Sequence, residues 1–70
     1  MVDHPDLANQ LKSLRTAAGM TQANLAQATR VSRKTINTVE NGVFIPSAVL
    51  ALRIARALNV TVEEAFQLNE

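Results

Sequence analysis

Four hydroxyl residues set the boundaries of this chain. Thr21, Ser32, Ser47 and Thr61 each stand directly before a segment whose apolar residues recur at helical spacing. Such a side chain accepts a hydrogen bond from a backbone N–H two or three residues on, and so marks where a helix starts. Only two glycines and two prolines interrupt the chain, and leucine and alanine are abundant. No segment alternates apolar and polar residues long enough to mark a strand; residues 43–45 are the one stretch with any strand character.

These signals predict an all-α fold of five short helices in one domain over residues 1–70. The first covers about residues 6–18, with Leu7, Leu11, Leu14 and Ala18 as its buried stripe. Pro5 and Asp6 suit its first turn, and Gly19 suits a left-handed stop. The second covers about residues 22–28, with Leu25 and Ala28 inward and Ala26 small enough for a neighbour's close approach. Residues 29–31 leave room only for a tight turn. The third follows Ser32 and closes at Glu40-Asn41-Gly42. The fourth, about residues 48–58, places Leu50, Ile54 and Leu58 four apart on one face and stops at Asn59. Thr61 and Glu64 form a capping box for the fifth, whose apolar contacts are Ala65, Phe66 and Leu68. There is no internal repeat, and contacts in such a fold are mostly local.

Composition narrows the chemistry. The absence of cysteine excludes a disulfide framework and thiolate chemistry. There is no Tyr or Trp, one histidine (His4, read as solvent-exposed) and no evident carboxylate cluster. No catalytic, metal or cofactor site is expected. The apolar stretches are too short to cross a bilayer, and the first ten residues lack a basic region followed by an apolar run. A cytoplasmic chain with no membrane partner is the expectation. The net charge is only +1, but its layout is uneven. Lys12, Arg15, Arg30, Arg33 and Lys34 lie in the first half with no acid between Asp6 and Glu40. Glu63, Glu64 and Glu70 lie at the other end with no base after Arg56. A basic face for a polyanion would look like this, as would an ordinary solvated surface.

Two short capped helices joined by a tight turn, residues 21–41, make a helix-turn-helix arrangement. On a wheel of about 100° per residue, Arg33, Lys34, Asn37, Thr38 and Asn41 share an arc of roughly 140°. Thr35, Ile36, Val39 and Glu40 take the other side. The arc combines two cations with amides and a hydroxyl and carries no acid. Arg bridges the two acceptors of guanine in the major groove, Asn matches adenine, and a Thr methyl touches the thymine methyl. A merely solvated helix face more often carries Glu–Lys pairs. The pattern favours a reading surface over a bland one.

The stretch LKSLRTAAGMTQANLAQATRVSRKTINTVENG closely resembles the Cro/C1-type (XRE) helix-turn-helix domain of phage repressors and bacterial regulators. The matching residues are Leu14-Arg15, Gly19, Thr21-Gln22, Leu25-Ala26, Val31-Ser32, Ile36 and Glu40-Asn41-Gly42, and the match continues through IPS, ALRIARALNV and VEEAF. The resemblance implies a lambda-repressor-like fold of the short single-domain type and a transcriptional regulator, more often a repressor, of double-stranded DNA. It implies that Arg33, Lys34 and Thr38 face base edges with Asn37 alongside. It further implies that Gln22, Ser32 and Asn41 contact the DNA backbone, Ser32 also capping its helix. Arg15 and Glu40 are implied to form an ion pair. The residues agree, since Glu40 lies beside the buried side of its helix and an Arg fork supplies two hydrogen bonds; direct phosphate binding by Arg15 is the alternative. One departure concerns residues 43–46, which carry no cation where many members have one, leaving backbone amides to serve that flank.

One such domain discriminates only a few base pairs, which points to a symmetric dimer on half-sites about 34 Å apart. Apolar residues are in surplus for that purpose: Val43, Phe44, Val49, Leu52, Val62, Phe66 and Leu68 exceed what a five-helix core needs. Phe44, Leu52, Val62, Phe66 and Leu68 are assigned to an isologous interface built largely from the C-terminal third; completing the monomer core is their other use. Arg53 and Arg56 are expected to lie over apolar surface or to pair with Glu63 or Glu64, in preference to reaching phosphate. Holding a partner protein is the competing role for a chain of this kind.

Overall fold

The caps operate where the sequence puts them. In the computed structural model, which describes residues 7–69, the elements are β1 (Leu7–Asn9), α1 (Leu11–Ala17), α2 (Gln22–Thr29), α3 (Arg33–Glu40), α4 (Ala48–Leu58), α5 (Val62–Ala65) and β2 (Phe66–Leu68). His4, Pro5 and Asp6, to which roles were assigned above, lie outside the described residues. Ser32 Oγ accepts from Thr35 N and Ser47 Oγ from Leu50 N, each at 3.1 Å. Thr61 and Glu64 exchange hydrogen bonds of 3.0 Å in both directions. Thr21 and Asn24 do the same at 3.0 and 3.1 Å, a second capping box in which Asn24 serves in place of the usual Glu or Gln. Left-handed residues follow four of the helices: Gly19 (φ 71°) after α1, as expected, Arg30 (φ 64°) after α2, Gly42 (φ 75°) after α3 and Asn59 (φ 57°) after α4. Arg30 is a non-glycine residue in that region, a conformation that costs on the order of 1–2 kcal/mol and that the tight turn into α3 imposes.

The core is assembled around α2, which packs against both α3 and α4. Leu11, Leu25, Ile36, Val39 and Ile54 are almost completely buried, and Leu50, Leu58, Ala65 and Phe66 close the same cluster. On α2 the inward stripe runs through Leu25, Ala26 and Thr29, whereas Ala28, expected inside, is exposed. Thr29 tolerates full burial because its hydroxyl donates to the Leu25 carbonyl at 2.7 Å. Ala18, also expected inside, lies past the end of α1 and is exposed.

The expectation of helix alone holds for most of the chain and fails at its two ends. Leu7, predicted on the first helix, belongs to β1, and Phe66 to Leu68, predicted on the fifth, form β2. The two strands pair antiparallel in the register Leu7 with Leu68, Ala8 with Gln67 and Asn9 with Phe66. Residues 43–45, the predicted strand-like stretch, form no strand. The physical reason lies at Asn9. Its Oδ1 accepts from Leu11 N at 3.1 Å, satisfying an open donor at the start of α1. Its Nδ2 donates to the Val39 carbonyl at 3.1 Å, thirty positions away. A side chain so engaged holds its own backbone out of the helix, and the freed segment finds its backbone partners on β2. The pairing also turns Phe66 inward to 8% exposure. Its assignment to a subunit interface is thereby corrected: it belongs to the monomer core.

Asn9 thus ties the terminal sheet to the end of α3 through both atoms of one amide. Asn9→Ala is expected to lower unfolding free energy by about 1–3 kcal/mol. Asn9→Asp keeps the acceptor but sets a carboxylate against the Val39 carbonyl, so at neutral pH it is expected to destabilise at least as much. Urea denaturation of the three chains checks this; an Asn9→Asp midpoint equal to wild type would remove the Val39 contact from the account.

Candidate nucleic-acid interface

Helix α3 is held from behind and left open in front. Ile36 and Val39 are buried at 0% and 1% exposure, while Arg33, Lys34, Asn37 and Asn41 are exposed. Thr38 is half-buried. Its hydroxyl donates to the Thr35 carbonyl at 2.9 Å. Asn41 Nδ2 donates to Asn37 Oδ1 at 3.2 Å, so each of these two amides orients the other one turn away. No Asp or Glu interrupts this face; Glu40, the helix's only acid, is turned away from it.

Glu40 is the anchor. Its carboxylate accepts from Arg15 Nε at 2.6 Å and from Arg15 Nη2 at 3.4 Å. It accepts a third hydrogen bond, from Gln22 Nε2, at 3.1 Å. Arg15 Nη1 completes the cluster by donating to the Met20 carbonyl at 2.9 Å. The two side chains of the ion pair are only 11% and 3% exposed. One carboxylate therefore joins the last turn of α1, the approach to α2, the first residue of α2 and the last residue of α3. The Arg15 guanidinium is committed to Glu40 and Met20, which disfavours its alternative use as a direct phosphate ligand.

Two shallow grooves flank α3. One, of about 530 Å³, is lined by Arg15, Met20, Thr21, Gln22, Ala23 and Arg33. It brings the N-terminal turn of α2, where backbone N–H groups lack helical acceptors, beside the cation that opens α3. The second, of about 170 Å³, lies between α3 and the following loop and includes Ser32, Lys34, Thr38 and Phe44. In that loop Gly42 N donates to the Val39 carbonyl at 3.1 Å, and Val43 N and Phe44 N both donate to the Thr38 carbonyl, at 3.0 and 3.3 Å. These amides point back at α3. The expectation that backbone amides replace the missing loop cations is therefore corrected for residues 42–44.

Of the residues assigned from sequence, Arg33, Lys34, Asn37, Thr38 and Asn41 share one face, Gln22 and Ser32 border it, and Arg15 and Glu40 meet behind it. Phe44, Leu52 and Leu68 are exposed and Val62 is half-buried, so these do not form one buried set with Phe66. Arg53 and Arg56 have no carboxylate within ion-pair distance among the described residues, so neither pairs with Glu63 or Glu64. Neither Asn9 nor Asn24 is among the residues assigned from sequence. Asn24, three residues after Thr21, carried a local signal; the partner of Asn9 lies too far along the chain to leave one. Among the described residues no group of His, Asp or Glu side chains is arranged to hold a metal ion, and no helix is long and apolar enough to cross a membrane.

Comparison with known proteins agrees with this geometry. The helix-turn-helix family model HTH_3 matches residues 11–64. The chain is similar to YgzD of Bacillus subtilis, an uncharacterized HTH-type transcriptional regulator, with 36% identity over 64 residues that cover 91% of this chain and 97% of the relative. It is also similar to an HTH-type transcriptional regulator of Methanothermobacter thermautotrophicus, 43% identical over 61 residues, 86% of this chain and 88% of that one. Among solved structures, the restriction-modification controller protein C.AhdI of Aeromonas hydrophila superposes with a TM-score of 0.73 at 37% identity, covering 77% of this chain and 82% of the other. With the capped helix pair, the acid-free face of α3 and these relatives in agreement, the chain belongs to the Cro/C1-type (XRE) helix-turn-helix family of DNA-binding transcriptional regulators.

Proposed function

We propose that the chain is a repressor that binds a palindromic operator as a homodimer and reads bases in the major groove with α3. The observation that carries this reading is the exposed, acid-free face of Arg33, Lys34, Asn37 and Asn41 on a helix locked by Ile36, Val39 and Glu40. Arg33 and Lys34 supply donors for guanine, Asn37 matches adenine, and Thr38 offers its methyl to thymine. Gln22, Ser32 and Asn41 take the backbone. Gln22 is suited to this because one Nε2 hydrogen goes to Glu40 and the other remains for a phosphate oxygen. Ser32 sits at the N-terminus of α3, where anions are favoured. The amides of 42–44 are engaged within the chain, so phosphate contacts come from the starts of α2 and α3 and from Asn41. A modest number of such contacts means a shallow salt dependence.

A reading face of this size specifies only a few base pairs, and a two-fold dimer doubles the site. Phe44, Leu52 and Leu68, at 47%, 62% and 72% exposure, with the half-buried Val62, are available to a second copy. A dimer seated across a promoter obstructs polymerase without additional parts. Selection of bound duplexes from a random pool tests the whole reading: a palindromic consensus is expected, and no enrichment would overturn it.

On the selected operator, Arg33→Ala is expected to cost about 1–3 kcal/mol and to relax preference at one base pair of each half-site. Binding to a panel of single-base operator variants measures this, and an unchanged preference profile removes Arg33 from base reading. Gln22→Ala is expected to weaken the cognate and variant operators by the same factor, since a phosphate contact carries no sequence information. A loss confined to one operator would assign Gln22 to a base instead.

A further inference from the structure

The outward face of α4 is not used by the DNA-binding surface. It presents Val49 and Leu52, 57% and 62% exposed, beside the exposed Arg53 and Arg56. With the first turn of α5 this face encloses an open cleft of about 680 Å³. Val49, Leu52 and Val62 line its apolar part, Arg53 and Arg56 stand on the α4 side, and Glu63 stands on the α5 side. Glu63 lies seven residues after Arg56, yet neither arginine has a carboxylate within ion-pair distance among the described residues. An apolar patch whose two lips carry charges of opposite sign, none of them ion-paired among the described residues, is its own complement. Turned about a two-fold axis, the cationic lip of one copy meets the acidic lip of the other, twice.

We propose that this cleft seats a second copy of the chain, and that Arg53 and Arg56 of each protomer pair with Glu63 of its partner across the apolar contact. The assignment rests on the homodimer reading above and specifies its surface and its register. Apolar burial of Val49, Leu52 and Val62 supplies the attraction, and the charge exchange selects the two-fold arrangement over a shifted one. A small-molecule ligand suits the cleft less well, because its charged groups stand at an open mouth rather than converging on an enclosed space.

Sedimentation equilibrium on the full chain tests this with two charge-reversed variants, Arg53→Glu/Arg56→Glu and Glu63→Arg. Wild type is expected to dimerise, and each variant alone to associate at least about tenfold more weakly, because like charges then face each other twice. An equimolar mixture of the two variants is expected to recover a heterodimer of near wild-type affinity, since every cross-subunit pair is again of opposite sign. An ion pair within one chain would give no such recovery. Far-UV circular dichroism checks that each variant folds. Should the doubly reversed chain not fold, Arg53→Gln/Arg56→Gln provides the second arm, with weaker association that no longer responds to added salt. A wild-type dimer whose variants associate as wild type does, or whose weakened variants fail to recover on mixing, overturns the charge-paired cleft and leaves the homodimer standing. A wild-type chain that stays monomeric overturns both.

Discussion

The Glu40 carboxylate is the interaction on which the rest of the structure depends. A carboxylate at 3% side-chain exposure is tolerable only when fully hydrogen-bonded. Here Arg15 and Gln22 meet that demand from two other helices. Because Glu40 is the last residue of α3, satisfying it fixes where that helix ends relative to α1 and α2. Burial of Ile36 and Val39 alone would permit small rotations of α3 about its axis. A bidentate arginine does not, because its planar fork has one good orientation. The direction in which Arg33, Lys34 and Asn37 point is therefore set from the opposite side of their own helix.

A second restraint acts on the same end of α3. Asn9 reaches the Val39 carbonyl from the strand that pairs with β2. The terminal sheet is thus more than a way of tidying the chain ends. It closes the core over Phe66 and presses a hydrogen-bond donor against a carbonyl that the end of the helix leaves open. The loop after α3 turns its own amides onto Val39 and Thr38 for the same reason. Serving the end of the helix consumes the groups that would otherwise have gripped a phosphate on that flank.

The charge layout along the chain resolves into separate surfaces. Arg33 borders a groove at the start of α2 and Lys34 the groove on the other side of α3, and Arg15 is neutralised by Glu40. The later cations, Arg53 and Arg56, sit on α4 beside exposed apolar residues and share a cleft with Glu63. An almost neutral chain therefore carries an acid-free face for a polyanion and a mixed-charge, apolar face suited to protein.

What the sequence determined by itself was local. Each hydroxyl cap bonds an amide three residues away, so the starts of α2, α3, α4 and α5 were legible from the order of residues alone. The outward face of α3 was legible too, because helical periodicity places Arg33, Lys34, Asn37 and Asn41 together whatever surrounds them. The tertiary structure decided everything whose partner lies far along the chain. Sequence could say that Glu40 needed a partner, and resemblance named Arg15, but the added hold of Gln22 on the same carboxylate appears only in three dimensions. Leu7 fits a helical stripe, so local pattern alone favours helix where the strand Leu7–Asn9 forms. The bond from Asn9 to Val39 and the pairing with Phe66–Leu68 outweigh that local preference. Phe66 fits an interface by sequence for a related cause. A strand alternates its sides and a helix does not, so the inward turn of Phe66 followed from a pairing that periodicity within one short segment could not reveal.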